Sequence, residues 1–83
     1  MLNVYLEIGG LYTFPLSKRV YERKEDKNDL SAWKMILGYI EAEEPFVILE
    51  YFEGGDGWAD SKVLTTKGEI GYIHFKERLL RKI

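Results

Sequence analysis

The chain has no cysteine, only two prolines and a single histidine among its 83 residues. The missing cysteine excludes a disulfide framework and a thiolate metal site, so packing alone must hold the core together. A reducing compartment is the natural expectation, and we expect the protein to be cytoplasmic. At this length residues 1–83 form one domain, which buries about 60–65% of the surface that its unfolded chain exposes.

An excess of positive charge and a long apolar run are also missing. The net charge is −2, with both signs interspersed, which disfavours the broad basic face of proteins that bind mainly to nucleic-acid phosphates. Residues 1–7 contain neither the basic segment nor the apolar segment of an export signal, and no apolar run is long enough to span a bilayer. We therefore expect no signal peptide and no membrane partner.

No catalytic or metal-binding motif is present either. His74 is the only imidazole, and no nucleophile is arranged with it in a recognisable motif. The carboxylates of Glu41, Glu43 and Glu44 lie in one turn without a second type of ligand, which is typical of a solvated acidic loop. The glycine-rich residues 53–57 precede a strand instead of opening a helix, so they do not form a phosphate-binding loop. We expect a protein that is not an enzyme and that needs no cofactor.

Three strands are the clearest feature that is present. Residues 46–52, 58–65 and 69–73 are rich in β-branched and aromatic side chains, and turn-forming residues separate them. This pattern predicts an antiparallel meander. The last two strands are joined by a tight hairpin in which Gly68 takes a positive φ.

The first half of the chain is less regular. Apolar residues alternate over residues 2–8, and residues 11–14 form a second strand that Pro15 ends; Val20 and Tyr21 continue it briefly. Residues 22–29 are almost all polar or charged and predict a solvated loop. Residues 30–40 fit both a helical stripe, which includes Trp33, and strand alternation; we favour a strand because Gly38 and β-formers interrupt the helical pattern.

Alternation within the strands assigns side chains to two faces. In residues 58–65 the small residues lie on one face, and Trp58 lies on the other with charged neighbours. In the next strand Gly71 points inward and Tyr72 outward. The predicted core is filled by Val47, Leu49, Ala59, Val63 and Ile73.

The order of these segments resembles a Src homology 3 barrel, closest to its bacterial form. Gly57-Trp58 opens the strand after the second loop, and the triplet Gly71-Tyr72-Ile73 follows at the spacing found in that family. The resemblance implies an all-β fold, a small antiparallel barrel of five or six strands. It also implies a short helical turn at residues 74–79 before a last strand at residues 80–83.

In that family a groove of exposed aromatic side chains receives extended, proline-rich peptides. The resemblance implies Trp58 as the groove tryptophan with Tyr72 beside it, and Tyr12 and Phe14 as the aromatic pair of the first strand. The proline that follows the triplet in the family is His74 here, and only Phe75 lies near the place of a later tyrosine. A peptide other than polyproline is therefore expected.

We accordingly expect a non-catalytic interaction module that binds a peptide or protein partner through an exposed aromatic surface around Trp58. A nucleic-acid-associated barrel is an alternative from another class, and it would use Lys67, Arg78, Arg81 and Lys82. A further alternative is an oligomeric structural or assembly subunit, for instance of a phage, in which exposed apolar strands pair. Binding of a cell-wall peptide, common in the bacterial branch of the family, is disfavoured because no export signal is expected.

Overall fold

The computed structural model describes residues 6–22 and 35–83, and these residues form β-structure almost throughout. The strands are β1 Leu11–Thr13, β2 Lys18–Tyr21, β3 Ile36–Ile40, β4 Phe46–Glu53, β5 Trp58–Thr65, β6 Ile70–Lys76 and β7 Arg81–Lys82. One 3₁₀ turn, Glu77–Leu79, precedes β7. The expected all-β class, with a short helical turn before the last strand, is confirmed. The sheet has seven strands where five or six were expected, because β2 and β3 form a separate hairpin.

All seven strands belong to one antiparallel sheet in the order β3-β2-β6-β5-β4-β1-β7. Among the described residues no helix of more than one turn covers either face of this sheet. A single sheet can then bury one face only by curving around its own side chains, which makes the arrangement barrel-like. Inward residues from β1 to β6 meet in one cluster. Its largest members are Tyr12, Phe14, Phe46, Phe75, Ile40, Ile48 and Ile73.

The hairpin between β5 and β6 shows why the central meander has a fixed register. The amide of Gly68 donates to the carbonyl of Thr65 at 3.0 Å, and Gly68 has a φ of 81°. This is a three-residue hairpin loop that ends in a left-handed residue, and glycine adopts that conformation without steric cost. The buried Thr65 hydroxyl accepts bonds from the amides of Lys67 and Glu69, both at 3.2 Å. The predicted positive φ of Gly68 is thus confirmed.

The predicted faces are right for β5 and β6 and wrong for β4. Ala59, Val63 and Ile73 are buried as expected. In β4, however, Phe46 and Ile48 are the buried residues, whereas Val47 and Leu49 are half-buried. Residues 46–49 are apolar on both faces, so alternation could not choose between them. A register shift between Ile48 and Glu50 then changes the phase within the strand.

Element boundaries differ from the expectations at three places. Residues 6–8 are not in a strand, and residues 1–5 lie outside the described part. Of the ambiguous residues 30–40, Ile36–Ile40 form strand β3, whereas Trp33 lies outside the described part, as does most of the predicted polar loop. Strand β6 continues to Lys76, so the helical turn begins later than expected.

Strand β6 is longer than expected because its last residues pair with the start of β5. Residues 58–60 of β5 need partners, and they pair with residues 74–76 of β6. The 3₁₀ turn that follows is held by the amide of Glu77, which donates to the carbonyl of Gly57 at 2.9 Å, and by the Tyr51 hydroxyl, which donates to the Glu77 carboxylate. Partial burial and this carboxylate raise the pKa of Tyr51. The start of β5 and the end of β6 are therefore fixed side by side.

Candidate functional site

Trp58 is positioned by a tight turn at the start of β5. Asp56 and Gly57 both have positive φ, 58° and 79°, and the amide of Trp58 donates to the carbonyl of Gly55 at 3.1 Å. Two consecutive residues with positive φ define a type I′ turn, for which Asp-Gly is a favoured sequence. The bond from the Gly54 amide to the Trp58 carbonyl, 2.9 Å, closes the loop. The indole therefore starts the outward face of β5 at a fixed register, and it is half-buried.

His74 stacks on the Trp58 indole. The ring centroids are 4.7 Å apart and the planes are inclined by only 4°. The register pairs Asp60 with His74 and Trp58 with Lys76, so the two rings are diagonal neighbours across two antiparallel strands. His74 Nδ1 lies 2.9 Å from an Asp60 carboxylate oxygen, and this bond orients the imidazole against the indole. The pair forms a flat aromatic ridge on the outer face of the sheet.

A cation lies at the same ridge. The Lys76 ammonium is 5.3 Å from the centroid of the indole ring. A lysine at this distance is attracted to the negative face of the ring, which contributes about 0.5–1 kcal/mol at an exposed site. The indole is thus held by neighbours on β6 without being covered by the core.

Two clefts flank the ridge. The first, here called the turn cleft, has a volume of about 210 Å³ and is lined by Gly54, Gly55, Asp56, Trp58, Ala59, Asp60 and His74. The second, here called the β2 cleft, has a volume of about 260 Å³ and is lined by Ser17, Lys18, Arg19, Tyr21, Trp58 and His74. The aromatic ridge separates a cleft with two carboxylates from a cleft with two cations.

Tyr72 belongs to the same outer face but does not touch Trp58. It lies four positions along β6 from Lys76, the partner of Trp58, which corresponds to about 13 Å along a strand. His74 occupies the position between them. Tyr72 instead pairs with Tyr21 of β2 and lies 6.4 Å from the Phe52 ring, centroid to centroid. Tyr72 and Trp58 therefore lie on the same outer face, as expected, but they are not in contact.

The other three predicted site residues, Tyr12, Phe14 and Phe75, are core residues, with 1%, 1% and 0% of their surface exposed. The Phe14 and Phe75 rings pack edge to face at 5.8 Å, and the Tyr12 hydroxyl accepts the amide of Glu7 at 2.7 Å. This corrects their assignment to an exposed aromatic surface. In so small a domain most large aromatic side chains are needed inside.

Sequence patterns do not reveal three residues of this surface: His74, Lys18 and Arg19. The parity that places Tyr72 outward places His74 outward as well, but the contact between His74 and Trp58 depends on the strand register. Lys18 and Arg19 give no signal, because β2 is short and contains only one buried residue, Val20.

Two of the basic residues of the nucleic-acid alternative lie near opposite ends of β6: Lys67 is in the hairpin before it, and Arg78 follows it. The Lys67 ammonium donates to the carbonyl of Tyr39 at 3.2 Å, and Lys82 pairs with Glu7 at 2.6 Å. These contacts engage two of the four basic residues.

Comparisons with known protein families, with curated proteins and with solved structures find no significant match to this chain. Over residues 6–22 and 35–83, no group of three histidines, cysteines or carboxylates is placed to hold a metal ion. The helical segment of the described chain is also too short to cross a membrane.

Proposed function

We propose that the protein is a non-catalytic interaction module with a Src homology 3-like barrel, and that it binds a peptide or protein partner through the surface around Trp58. The observation that supports this most directly is the position of the indole. It is half-buried, stacked on His74 and bordered by two open clefts. Tryptophan at such a position is frequent among the residues that dominate binding energy at interfaces.

The fold features support the resemblance. Gly57-Trp58 opens β5 after a tight turn, Gly71-Tyr72-Ile73 lies in β6, and a 3₁₀ turn precedes the short last strand. The ridge and its clefts suit an extended chain, because a segment crossing the ridge would place successive side chains on either side of it. The replacement of the family proline by His74 fills part of the surface, which favours a ligand other than polyproline.

The first prediction concerns Trp58. Replacing it with alanine removes the ridge without opening the core, so we expect the thermal midpoint to change little and partner binding to weaken at least about tenfold. Pull-downs from lysate and thermal melts of both proteins measure the two effects. Ile83→Ala is the control, since this large apolar residue is exposed after β7 and lines neither cleft. A Trp58→Ala protein that binds like the parent would remove the proposed site.

A second candidate function, self-assembly, is favoured by the edge strand β3. Among the described strands it pairs only with β2, and four of the residues in and beside it are exposed and apolar: Met35, Ile36, Leu37 and Tyr39, from 38% to 62% exposed. An exposed apolar edge is a ready template for pairing with another strand. We propose a second copy of the chain as the occupant, joined edge to edge through β3.

The second prediction tests this assembly. Placing lysines on the edge, Ile36→Lys with Tyr39→Lys, should abolish any dimer, because like charges would oppose each other across the paired strands. Sedimentation over a range of concentrations gives the oligomeric state. Ile83→Lys makes the same kind of change on another exposed apolar residue and should have no effect. A parent protein that stays monomeric at high concentration would exclude this candidate.

A further inference from the structure

The two clefts beside the ridge differ in the sign of the charge that lines them. Within residues 6–22 and 35–83, the lining of the β2 cleft contains the cations Lys18 and Arg19, the rings of Tyr21, Trp58 and His74, and no carboxylate. The turn cleft on the other side of the ridge has the opposite character, because Asp56 and Asp60 line it. A molecule that crosses the ridge therefore meets positive charge on one side and negative charge on the other.

The two cations of the β2 cleft have no counter-ion within residues 6–22 and 35–83. The Lys18 ammonium lies 4.7 Å from the centre of the Phe14 ring, and neither Lys18 nor Arg19 forms an ion pair there. Two lysines elsewhere on the sheet do have carboxylate partners: Lys62 lies 3.6 Å from Glu50, and Lys82 lies 2.6 Å from Glu7.

Lys18 is also partly withdrawn from water. Burial lowers the pKa of its ammonium group, which means that the protein disfavours the charge it carries. An anion that enters the cleft would offset this cost, because an opposite charge within a few ångströms favours the charged form. Within residues 6–22 and 35–83, the cleft therefore contains positive charge without a matching negative charge.

We propose that the ligand of the Trp58 surface is an acidic peptide segment, one of whose carboxylate side chains enters the β2 cleft while a neighbouring apolar side chain packs on the ridge. This inference rests on the proposed function and specifies its ligand. A volume of about 260 Å³ accepts one or two side chains. Arg19 can hold a carboxylate through two parallel hydrogen bonds, and Lys18 adds a second charge.

The surroundings favour a peptide over a nucleic acid. A phosphate backbone carries a charge at every step, so its continuation past the ridge would meet Asp56 and Asp60. The net charge of −2 adds general repulsion. A peptide can instead place its acidic residue at the β2 cleft and a neutral or basic residue at the turn cleft, which also fixes its direction.

The experiment selects ligands for the whole chain from a random-peptide display library. We expect enriched peptides that depend on Trp58 and contain aspartate or glutamate beside an apolar residue. A selected peptide should bind about tenfold more weakly when its glutamate is changed to glutamine, and the double variant Lys18→Gln, Arg19→Gln should show a similar loss. The matched control is Arg78→Gln with Arg81→Gln, which removes the same charge from exposed residues elsewhere and should leave affinity nearly unchanged.

The possible results separate this inference from the function on which it rests. Peptides that need Trp58 but show no acidic preference, or prefer basic residues, would overturn the acidic-ligand proposal and leave the interaction module standing. Enrichment that survives Trp58→Ala, or no enrichment at all, would overturn both. An oligothymidylate that binds more tightly than every selected peptide, with a steep dependence on salt, would replace the peptide with a nucleic acid.

Discussion

Gly71 lies where strands β2 and β6 approach each other too closely for a side chain on β6. A Cβ atom at this position would lie 2.5 Å from Cγ1 of Val20 and 2.7 Å from the carbonyl oxygen of Tyr21. Strand β2 therefore crosses β6 at a distance that only glycine permits. The inward orientation predicted for Gly71 from strand alternation is confirmed by its burial.

The third prediction is that Gly71→Val destabilises the protein by about 1–3 kcal/mol through overpacking, because backbone as well as side-chain atoms must move. Urea unfolding measures the change. Gly55→Ala is the control, since an added Cβ there meets nothing within 4 Å. Equal urea midpoints for the parent and Gly71→Val would show that β2 does not lie against β6 as described.

At the scale of elements, the acidic turn after β3 is attached to the β5–β6 hairpin. The Glu44 carboxylate accepts a hydrogen bond from the Thr66 hydroxyl and another, at 2.8 Å, from the amide of Glu41. These bonds lower the pKa of Glu44 below its ordinary value of 4.5. The turn that the sequence presents as a solvated loop thus joins two parts of the sheet.

The fourth prediction follows from the sign of this shift. A carboxyl group whose pKa is lowered on folding stabilises the fold above its unfolded pKa, and that contribution is lost as the pH falls through the folded pKa. Stability should therefore fall as the pH drops below the ordinary carboxyl pKa of 4.5, and the stability of Glu44→Gln should fall less. Urea midpoints at several pH values measure the slope. Thr66→Val, which removes the hydroxyl that donates to the Glu44 carboxylate, should also reduce the slope.

How far the sequence predicts an element depends on the contrast between its two faces. Strands β5 and β6 are small or apolar on one face and polar or aromatic on the other, so alternation predicts the bounds of β5 and the inward residues Ala59, Val63, Gly71 and Ile73. It does not predict that β6 continues to Lys76. Strand β4 is apolar on both faces near its start, and only its pairing with Thr65 and Leu64 decides that Phe46 points inward. The strand propensities of the residues also do not predict the register shift between Ile48 and Glu50.

The same limit applies to the candidate site. Trp58 was predicted because its parity and its Gly-Trp motif can both be read locally. The stacking of His74 on it is a diagonal contact between strands, and the β2 cleft joins residues about 40 to 55 positions apart in the chain. Tyr12, Phe14 and Phe75 were misassigned because a motif match to exposed aromatics does not weigh how many large side chains so small a core requires.

At the scale of the whole molecule, pairings between distant parts of the chain hold the sheet together. Strand β1 lies between β4 and β7, with Tyr12 opposite both Phe46 and Lys82. The chain then passes from β1, sixth in the sheet, to β2, second in the sheet, through only four residues, 14–17. Short connections between distant strands are possible only because the sheet curves back on itself.

The pairing of β1 with β7 also affects the kinetics of folding. The hairpins of β4, β5 and β6 join residues close in sequence and can form within microseconds, whereas Tyr12 meets Lys82 only after a loop of nearly the whole described chain has closed. Proteins dominated by such distant pairings fold in milliseconds to seconds. We therefore expect this pairing to form late, so that weakening the exposed Glu7–Lys82 ion pair speeds unfolding slightly and leaves the folding rate almost unchanged.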